Sequence, residues 1–227
     1  MPGLIKKKLV GIKNTHRIFN LQIEYYFVIK QAINQLKKQD PEVKILLNNF
    51  IIEDLKPVNN YFKSLTRNIM FQQLNGKAAQ TILNRFLLLF PDTDYPTPED
   101  ILSVSHEDFR SAGLSTPKAK YLKNISRAFI KGTFDYNNIN KYNNKEIIEQ
   151  LMKIKGVGPW TAQMFLIFTL NRLDVFPTGD LGVQKGFQEY FKLENVPSSN
   201  EMLSRSEIWK PYRTIMTLYF WKLADNL

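Results

Sequence analysis

The sequence predicts an all-α protein built from many short helices, and three observations favour this class. Helix start and stop signals recur along the chain, such as the Thr-Pro pairs that begin at Thr97 and Thr116 and the glycines Gly113 and Gly132. Apolar residues repeat at helical spacing between these signals. Alternating apolar and polar runs, which indicate strands, are nearly absent after about residue 30.

Composition limits the class of protein and its partners. The 227 residues suffice for one large domain or two small ones. A net charge of +10 makes a polyanion the expected partner, nucleic acid first and a membrane surface second. With no cysteine and two histidines, disulfides and Cys-ligated clusters are excluded and a His-rich metal site is not expected. No signal peptide or membrane span is recognisable, so an intracellular protein without membrane contact is expected.

The helices are predicted in order from these signals. Helical patterns occupy residues 65–91, 97–102, 105–113, 116–132, 145–154 and 159–170. Asn75 and Gly76 interrupt the first of them. The Asn-rich stretch 134–144 is expected to be a loop, and the opening LIKKKLVGIK (4–13) is compatible with either a strand or an unstructured arm.

The last two helical patterns flank the segment IKGVGPW (154–160). A helix that ends at a glycine and restarts at Pro159 predicts a helix–hairpin–helix motif. Gly156 permits a positive φ, Gly158 permits close backbone approach, and the amides that begin the second helix form an anion site. On so basic a chain a nucleic-acid phosphate is the expected anion. The alternative is an ordinary helical corner with a glycine cap.

The segment LMKIKGVGPWTAQMFLIFTLNRLDVFPTGDLGVQKGF (151–187) resembles the signature of the helix–hairpin–helix DNA glycosylase superfamily, and most of all its 3-methyladenine DNA glycosylase II branch. Three further segments agree in the same order: LTRNIMFQQLNGKAA (65–79), FRSAGLSTPKAKYLKNIS (109–126) and WKPYRTIMTLYFW (209–221). Departures are Asn75, where a serine is common, and Gly179, where many members carry a second acid. Residues 1–35 match no part of the family.

The resemblance implies a two-lobed helical fold with the active-site cleft between the lobes. Residues 61–171 form the central bundle, which ends in the helix–hairpin–helix at about 145–170, and residues 1–60 with 172–227 form the other lobe. The implied activity is removal of 3-methyladenine and 7-methylguanine from double-stranded DNA by base flipping. We expect a monomer, in the cytoplasm or nucleoid of a prokaryote or in the nucleus of a eukaryote.

Asp180 is the expected catalytic residue. Glycosidic cleavage passes through an oxocarbenium-like state, which a fixed carboxylate stabilises while it orients or deprotonates the attacking water. An alkylated base is already cationic and leaves without strong general-acid help. The alternative is a helix N-cap, because Asp180 precedes the helical pattern LGVQKGFQEYF, and both roles are compatible.

The aromatic residues suggest how the base is held. In the lyase branches of the family a nucleophilic lysine stands where this sequence has Trp160. Without that amine no Schiff base forms there, so a monofunctional enzyme that leaves an abasic site is expected. Trp160 is expected to stack on the electron-poor base by cation–π attraction. Trp221 is expected to form the second wall of the base pocket, and Met164 a third. Core packing is the alternative for all three.

The expected DNA contacts lie in two turns and at a few further cationic side chains. The family's wedge residue, which fills the space left by the flipped base, comes from the region of Gln72, Gln73 and Leu74, and Gln73 or Leu74 is the expected wedge. The alternative is a solvated helix end. The other expected contacts are Lys155, Gly156, Val157 and Gly158 of the hairpin and Lys185, with Lys77 and Arg213 as further cationic candidates.

The family hairpin also commonly holds a monovalent cation, Na⁺ or K⁺, through main-chain carbonyl groups. The corresponding carbonyls here are near Met152, Ile154 and Val157, and no cofactor is required. Two other functions stay open: a duplex-binding module without catalysis, and a related glycosylase for oxidised or mismatched bases. The absence of a cysteine cluster and of the lysine at position 160 counts against the second.

Overall fold

The computed structural model describes residues 28–52, 55, 58–74 and 76–227, and these residues contain helices and no strand. The α-helices are α1 (28–39), α2 (Lys44–Asn49), α3 (Tyr61–Phe71), α4 (Gly76–Leu87), α5 (Pro98–Ser103), α6 (His106–Ser111), α7 (Thr116–Lys131), α8 (Asn144–Met152), α9 (Pro159–Phe168), α10 (Leu181–Tyr190), α11 (Ser199–Ser206) and α12 (Arg213–Ala224). The predicted all-α class is confirmed. The opening segment 4–13 and Asn75 lie outside the described residues.

The chain divides into two compact units. The central unit is Pro57–Arg172, and the terminal unit combines the described residues before it with Leu173–Leu227. The sequence placed these boundaries between 60 and 61 and between 171 and 172. None of the helices among the described residues is long and apolar enough to cross a membrane.

The central unit is built around α7, which packs against α3, α5 and α6. Its core consists of apolar side chains at helical spacing, and Phe86 stacks on Phe109 with ring centroids 6.3 Å apart. Helix α9 is apolar nearly all round, as the sequence predicted, and it packs between α8 and α3. The buried members of this core include Leu65, Ile69, Phe86, Phe109, Leu122, Ile147, Leu151 and Phe165.

Capping residues fix where most of these helices begin. Thr97 forms a capping box with Asp100 before α5. Helix α7 ends at Gly132, whose φ of 64° is the left-handed conformation that glycine adopts without strain. The cap that starts α7 is Ser115, whose hydroxyl accepts the N–H of Lys118, and Thr116 is the first helical residue.

The expectation of a loop over 134–144 was wrong in part, because a 3₁₀ helix spans Tyr136–Lys141. Asp135 is the reason. Its carboxylate caps this helix by accepting the N–H of Asn138, and it also accepts the hydroxyl of Tyr142 at 2.9 Å. The same bonds keep the pKa of Asp135 below its usual value, and the Tyr142 hydroxyl is the largest cause.

The terminal unit has an aromatic core in which α10 packs against α12. Gly186 allows this approach, since a Cβ atom there would lie 2.1 Å from the carbonyl oxygen of Phe220. Trp209 is fully buried, and its indole N–H donates to the carboxylate of Asp40 at 2.7 Å. Arg205 pairs with the same carboxylate oxygen at 2.5 Å, so the buried charge of Asp40 is compensated.

Candidate active site

Asp180 is the N-cap of α10. Its backbone is extended, with φ −84° and ψ 124°, and its Oδ1 accepts the backbone N–H of Val183 at 2.9 Å. The residue is half-buried. The cap role that the sequence allowed is therefore confirmed, and the carboxylate is fixed at the positive end of a helix.

A second donor reaches the same oxygen. The indole Nε1–H of Trp221, on α12, donates to Oδ1 of Asp180 over 2.7 Å. Gly182 makes room for this contact. A Cβ atom there would lie 2.8 Å from Trp221 Cδ1 and 3.2 Å from Asp180 Oδ1. The carboxylate is thus held from its own helix and from the neighbouring one.

This hydrogen bond was not predicted from the sequence, where Trp221 was interpreted as a pocket wall or as core packing. Two signals pointed towards it. An indole N–H is a donor without acceptor capacity and usually finds a partner when it is largely buried. Gly182 and Gly186 lie four residues apart and therefore leave one face of α10 without side chains, where another helix can approach closely.

The turn before Asp180 is fixed by short hydrogen bonds. The N–H of Asp180 donates to the carbonyl of Pro177 at 3.0 Å, and the side-chain amide of Gln184 donates to the carbonyl of Thr178 at 2.7 Å. Gly179 is exposed, and a Cβ atom at that position would meet no atom within 4 Å. The position where relatives carry a second acid therefore has space for a side chain.

The predicted hairpin lies between α8 and α9. Gly156 has φ +106°, and a Cβ atom there would lie 2.2 Å from Cγ of Tyr121, so both its conformation and its surroundings require glycine. Gly158 is the N-cap of α9 and Pro159 its first residue. Gly158 has open space where a Cβ would be, and as a glycine it contributes no side-chain cap to the first amides of α9. The anion site expected at these amides stays a prediction.

The cationic candidates differ in their surroundings. Lys77, Lys155 and Lys185 are exposed. The hairpin candidate Val157 is apolar and its side chain is buried. Only its backbone groups can therefore contact a ligand. Arg213 differs from these lysines. Its guanidinium makes two bonds to the carboxylate of Asp174, at 2.6 and 3.0 Å, and its Nη1 lies 3.5 Å from a carboxylate oxygen of Glu207. These ion pairs count against a phosphate contact, which stays a prediction.

The three DNA-contact candidates in the turn that follows α3 differ in their surroundings. The side-chain amide of Gln72 donates to the hydroxyl of Thr161 on α9 at 2.6 Å. This side chain is therefore held by a contact within the protein. Gln73 is exposed and has φ +55°, an uncommon conformation for a residue other than glycine. Leu74 is also exposed, at 39% of its surface. Gln73 and Leu74 are therefore the two candidates at the surface.

The pocket candidates on α9 have different degrees of burial. Trp160 is half-buried, whereas Met164 keeps only 4% of its surface exposed. The burial of Met164 agrees with the alternative of core packing. Its role as a pocket wall, that of Trp160, and the cleft expected between the lobes stay predictions.

The hairpin carbonyls are compatible with the expected cation. The carbonyl of Ile154 accepts the N–H of Val157 at 2.9 Å, and because a carbonyl oxygen has two lone pairs, one remains for a metal ion. Among the described residues no cluster of three or more His, Cys, Asp or Glu could hold a metal through side chains.

A helix–hairpin–helix whose second helix begins at a glycine, followed later in the chain by a helix that begins at a fixed carboxylate, is the pattern on which the sequence resembles the helix–hairpin–helix DNA glycosylases. The family of HhH-GPD superfamily base excision DNA repair proteins matches residues 66–211, and the chain belongs to it.

Known relatives agree with this assignment. DNA-3-methyladenine glycosylase 1 of Schizosaccharomyces pombe is 40% identical over 168 residues, which are 72% of this chain and 74% of the relative. A putative DNA-3-methyladenine glycosylase of Bacillus subtilis is 34% identical over 169 residues. These are 72% of this chain but only 59% of the relative. The solved S. pombe 3-methyladenine DNA glycosylase in complex with abasic DNA aligns with a TM-score of 0.76, at 36% identity, over 85% of this chain and 95% of that one.

Proposed function

We propose that this protein is a monofunctional DNA glycosylase that hydrolyses the N-glycosidic bond of alkylated purines in double-stranded DNA, 3-methyladenine above 7-methylguanine. The observation that carries the proposal is the carboxylate of Asp180, which Val183 and Trp221 hold by two hydrogen bonds at the start of α10. The names of the relatives, which are DNA-3-methyladenine glycosylases at 34 and 40% identity, support the same activity.

The proposed reaction needs one carboxylate. The bond from C1′ of the sugar to the base nitrogen breaks, and its electron pair neutralises the cationic base, which leaves without a proton donor. The negative charge of Asp180 stabilises the sugar cation that forms. Water then attacks C1′ and loses its proton to the carboxylate or to solvent. Because position 160 is a tryptophan, no amine there competes with water, and the product is an abasic site.

The two turns of the central unit supply the proposed DNA contacts. The amides at the start of α9 and the exposed Lys155 would bind backbone phosphates. Gln73 or Leu74 would enter the duplex and fill the space of the flipped base. The half-buried indole of Trp160 would stack on the electron-poor base.

A panel of duplex oligonucleotides, each with one lesion, tests the proposed activity. We expect release of 3-methyladenine faster than of 7-methylguanine, and strand breakage only after alkali, since the abasic product is left intact. The cap bond of Asp180 favours one rival, a duplex-binding module without catalysis. That rival would bind every duplex and release no base. Release of oxidised or mismatched bases alone would indicate the related glycosylase instead.

Two further properties belong to the proposal. The first is a Na⁺ or K⁺ ion held by the hairpin carbonyls near Met152, Ile154 and Val157, with no other cofactor. Replacement of K⁺ and Na⁺ by tetramethylammonium at equal ionic strength should then weaken duplex binding. The second is a monomeric state, for which light scattering should give a mass near 26.6 kDa.

A further inference from the structure

One face of α7 contacts both turns that the proposed function assigns to DNA. Lys118, Tyr121 and Asn124 follow one another at intervals of three residues and therefore lie on one side of the helix. The first of them binds the turn after α3, and the other two contact the hairpin. Six residues of helix separate the outer two by about 9 Å along the axis.

Lys118 closes the carboxyl end of α3. Its ammonium donates to the carbonyl of Met70 at 2.8 Å and to that of Gln72 at 2.9 Å. Carbonyls at a helix end have no partner within the helix, and a cation there also interacts favourably with the helix dipole. The next residue, Gln73, has the left-handed φ of +55°. The ammonium thus fixes the backbone immediately before the two exposed wedge candidates.

Tyr121 and Asn124 hold the hairpin. The ring of Tyr121 fills the space that a side chain at Gly156 would need. The side-chain amide of Asn124 donates to the carbonyl of Lys155 at 3.0 Å. The amides that begin α9 follow directly in the chain, so the orientation of this turn sets the orientation of the anion site.

We propose that this face of α7 is a strut that fixes the position of the wedge turn relative to the hairpin. Lys118 is a positioning residue for the wedge, and Asn124 is a positioning residue for the phosphate site. The inference rests on the proposed function, because it gives these turns their roles on DNA. It predicts that the two ends of the strut have separable effects, on base flipping at Lys118 and on duplex affinity at Asn124.

The experiment compares Lys118→Met and Asn124→Leu with a matched control, Lys123→Met. Lys123 also lies on α7 and donates to a carbonyl, that of Val104 at 2.7 Å, but it contacts neither turn. Each variant is measured for affinity to an undamaged duplex and for release of 3-methyladenine in a single turnover. The lesion is placed either in a base pair or in a single-nucleotide bulge, where extrusion requires less from the wedge.

We expect Lys118→Met to slow base release from the paired lesion about tenfold, because a charge-assisted hydrogen-bond pair is lost next to the wedge. Affinity for the undamaged duplex should change less than about twofold, and release from the bulge should stay near the wild-type rate. Asn124→Leu should weaken duplex affinity about fivefold. Lys123→Met should match the wild type in both measurements. If Lys118→Met unfolds the protein, Lys118→Gln, which is polar but neutral and one bond shorter than lysine, takes its place under the same criteria.

The strut is refuted if Lys118→Met behaves as Lys123→Met does, or if it slows both lesion substrates equally. It is also refuted if Asn124→Leu binds the duplex as tightly as the wild type. Failure of the proposed function looks different, because the wild type itself would then release no base from either substrate. In that case the affinity of Asn124→Leu still decides whether α7 positions the hairpin.

Discussion

The indole N–H of Trp221 and the backbone N–H of Val183 donate to a single carboxylate oxygen of Asp180, at 2.7 and 2.9 Å. Hydrogen bonds to a charged acceptor are among the stronger ones in proteins, and two of them from different helices leave the carboxylate little freedom to rotate. Electrostatic stabilisation of a developing cation depends on such fixed charges, since the protein then needs no reorganisation during the reaction. The link between α10 and α12 is therefore part of the proposed mechanism.

Trp221→Phe tests this link, because it keeps an aromatic ring and removes the indole donor. We expect the single-turnover rate of base release to fall about tenfold, as a bond to a charged group is lost. Duplex affinity should stay within about twofold, since the residue carries no phosphate contact. Quenched-flow measurement of base release with excess enzyme gives the rate directly. A variant as fast as the wild type would mean that the cap bond alone orients Asp180.

Gly182→Ala should disturb the same pair by crowding. The added Cβ would lie 2.8 Å from Trp221 Cδ1, so the indole must move away from the carboxylate. We expect base release to slow about tenfold or more, because small displacements of reacting groups have large effects on rate. Gly179→Ala is the matched control, as its Cβ would meet no atom within 4 Å. Equal rates for the two variants would contradict the steric explanation.

The two hairpin glycines should respond differently to alanine. Gly156→Ala combines a positive φ with a clash against Tyr121, and we expect it to lower the free energy of unfolding by about 3 kcal/mol and to weaken DNA binding. Gly158→Ala should cost about 1 kcal/mol or less in stability but weaken duplex binding about tenfold, since its Cβ would stand at the proposed phosphate site. Urea unfolding and fluorescence anisotropy separate these effects. Wild-type affinity in Gly158→Ala would argue against the phosphate site.

Stability at alkaline pH should depend on Tyr95. Burial raises the pKa of its hydroxyl to about 12, although Thr66 and Arg67 act in the other direction. Because the folded pKa lies above the unfolded value, the stabilisation is complete below pH 10 and is lost as the pH rises towards 12. Relative to Tyr95→Phe, the wild type should lose about 1 kcal/mol of unfolding free energy between pH 8 and 11. Urea titrations of both proteins at several pH values in this range give the unfolding free energy at each pH. An equal dependence of this free energy on pH in the two proteins would contradict the prediction.

The part of the fold that the sequence predicts is the part encoded locally. Thr97 with Asp100, and Gly156 with Pro159, act within a few residues of one another, so spacing alone identifies the capping box and the hairpin. The bond between Trp221 and Asp180 spans 41 residues and depends on how α10 meets α12, which no local pattern specifies. The ion pair between Arg213 and Asp174, which are 39 residues apart, could not be predicted for the same reason.

In the candidate site, too, only the locally encoded features could be predicted from the sequence. Asp180 could be chosen because the residue after a Gly-rich turn and before a helix is a cap position, and the family resemblance added its chemistry. Gln73 or Leu74 was the expected wedge, although Gln72 and Gln73 are the same residue type. The structure distinguishes them through Thr161 and Lys118, which lie on other helices of the central unit. Assigning roles within the wedge turn therefore required the packing of α7 and α9.

The most direct test of the central claim is the single-turnover rate of 3-methyladenine release by Asp180→Asn. Asparagine is as good an N-cap as aspartate, and its carbonyl oxygen can still accept from Val183 and Trp221, so fold and duplex affinity should be kept. Only the negative charge is removed. We predict a rate at least about 100-fold below that of the wild type. Release at the wild-type rate by a folded, DNA-binding Asp180→Asn protein would contradict the mechanism.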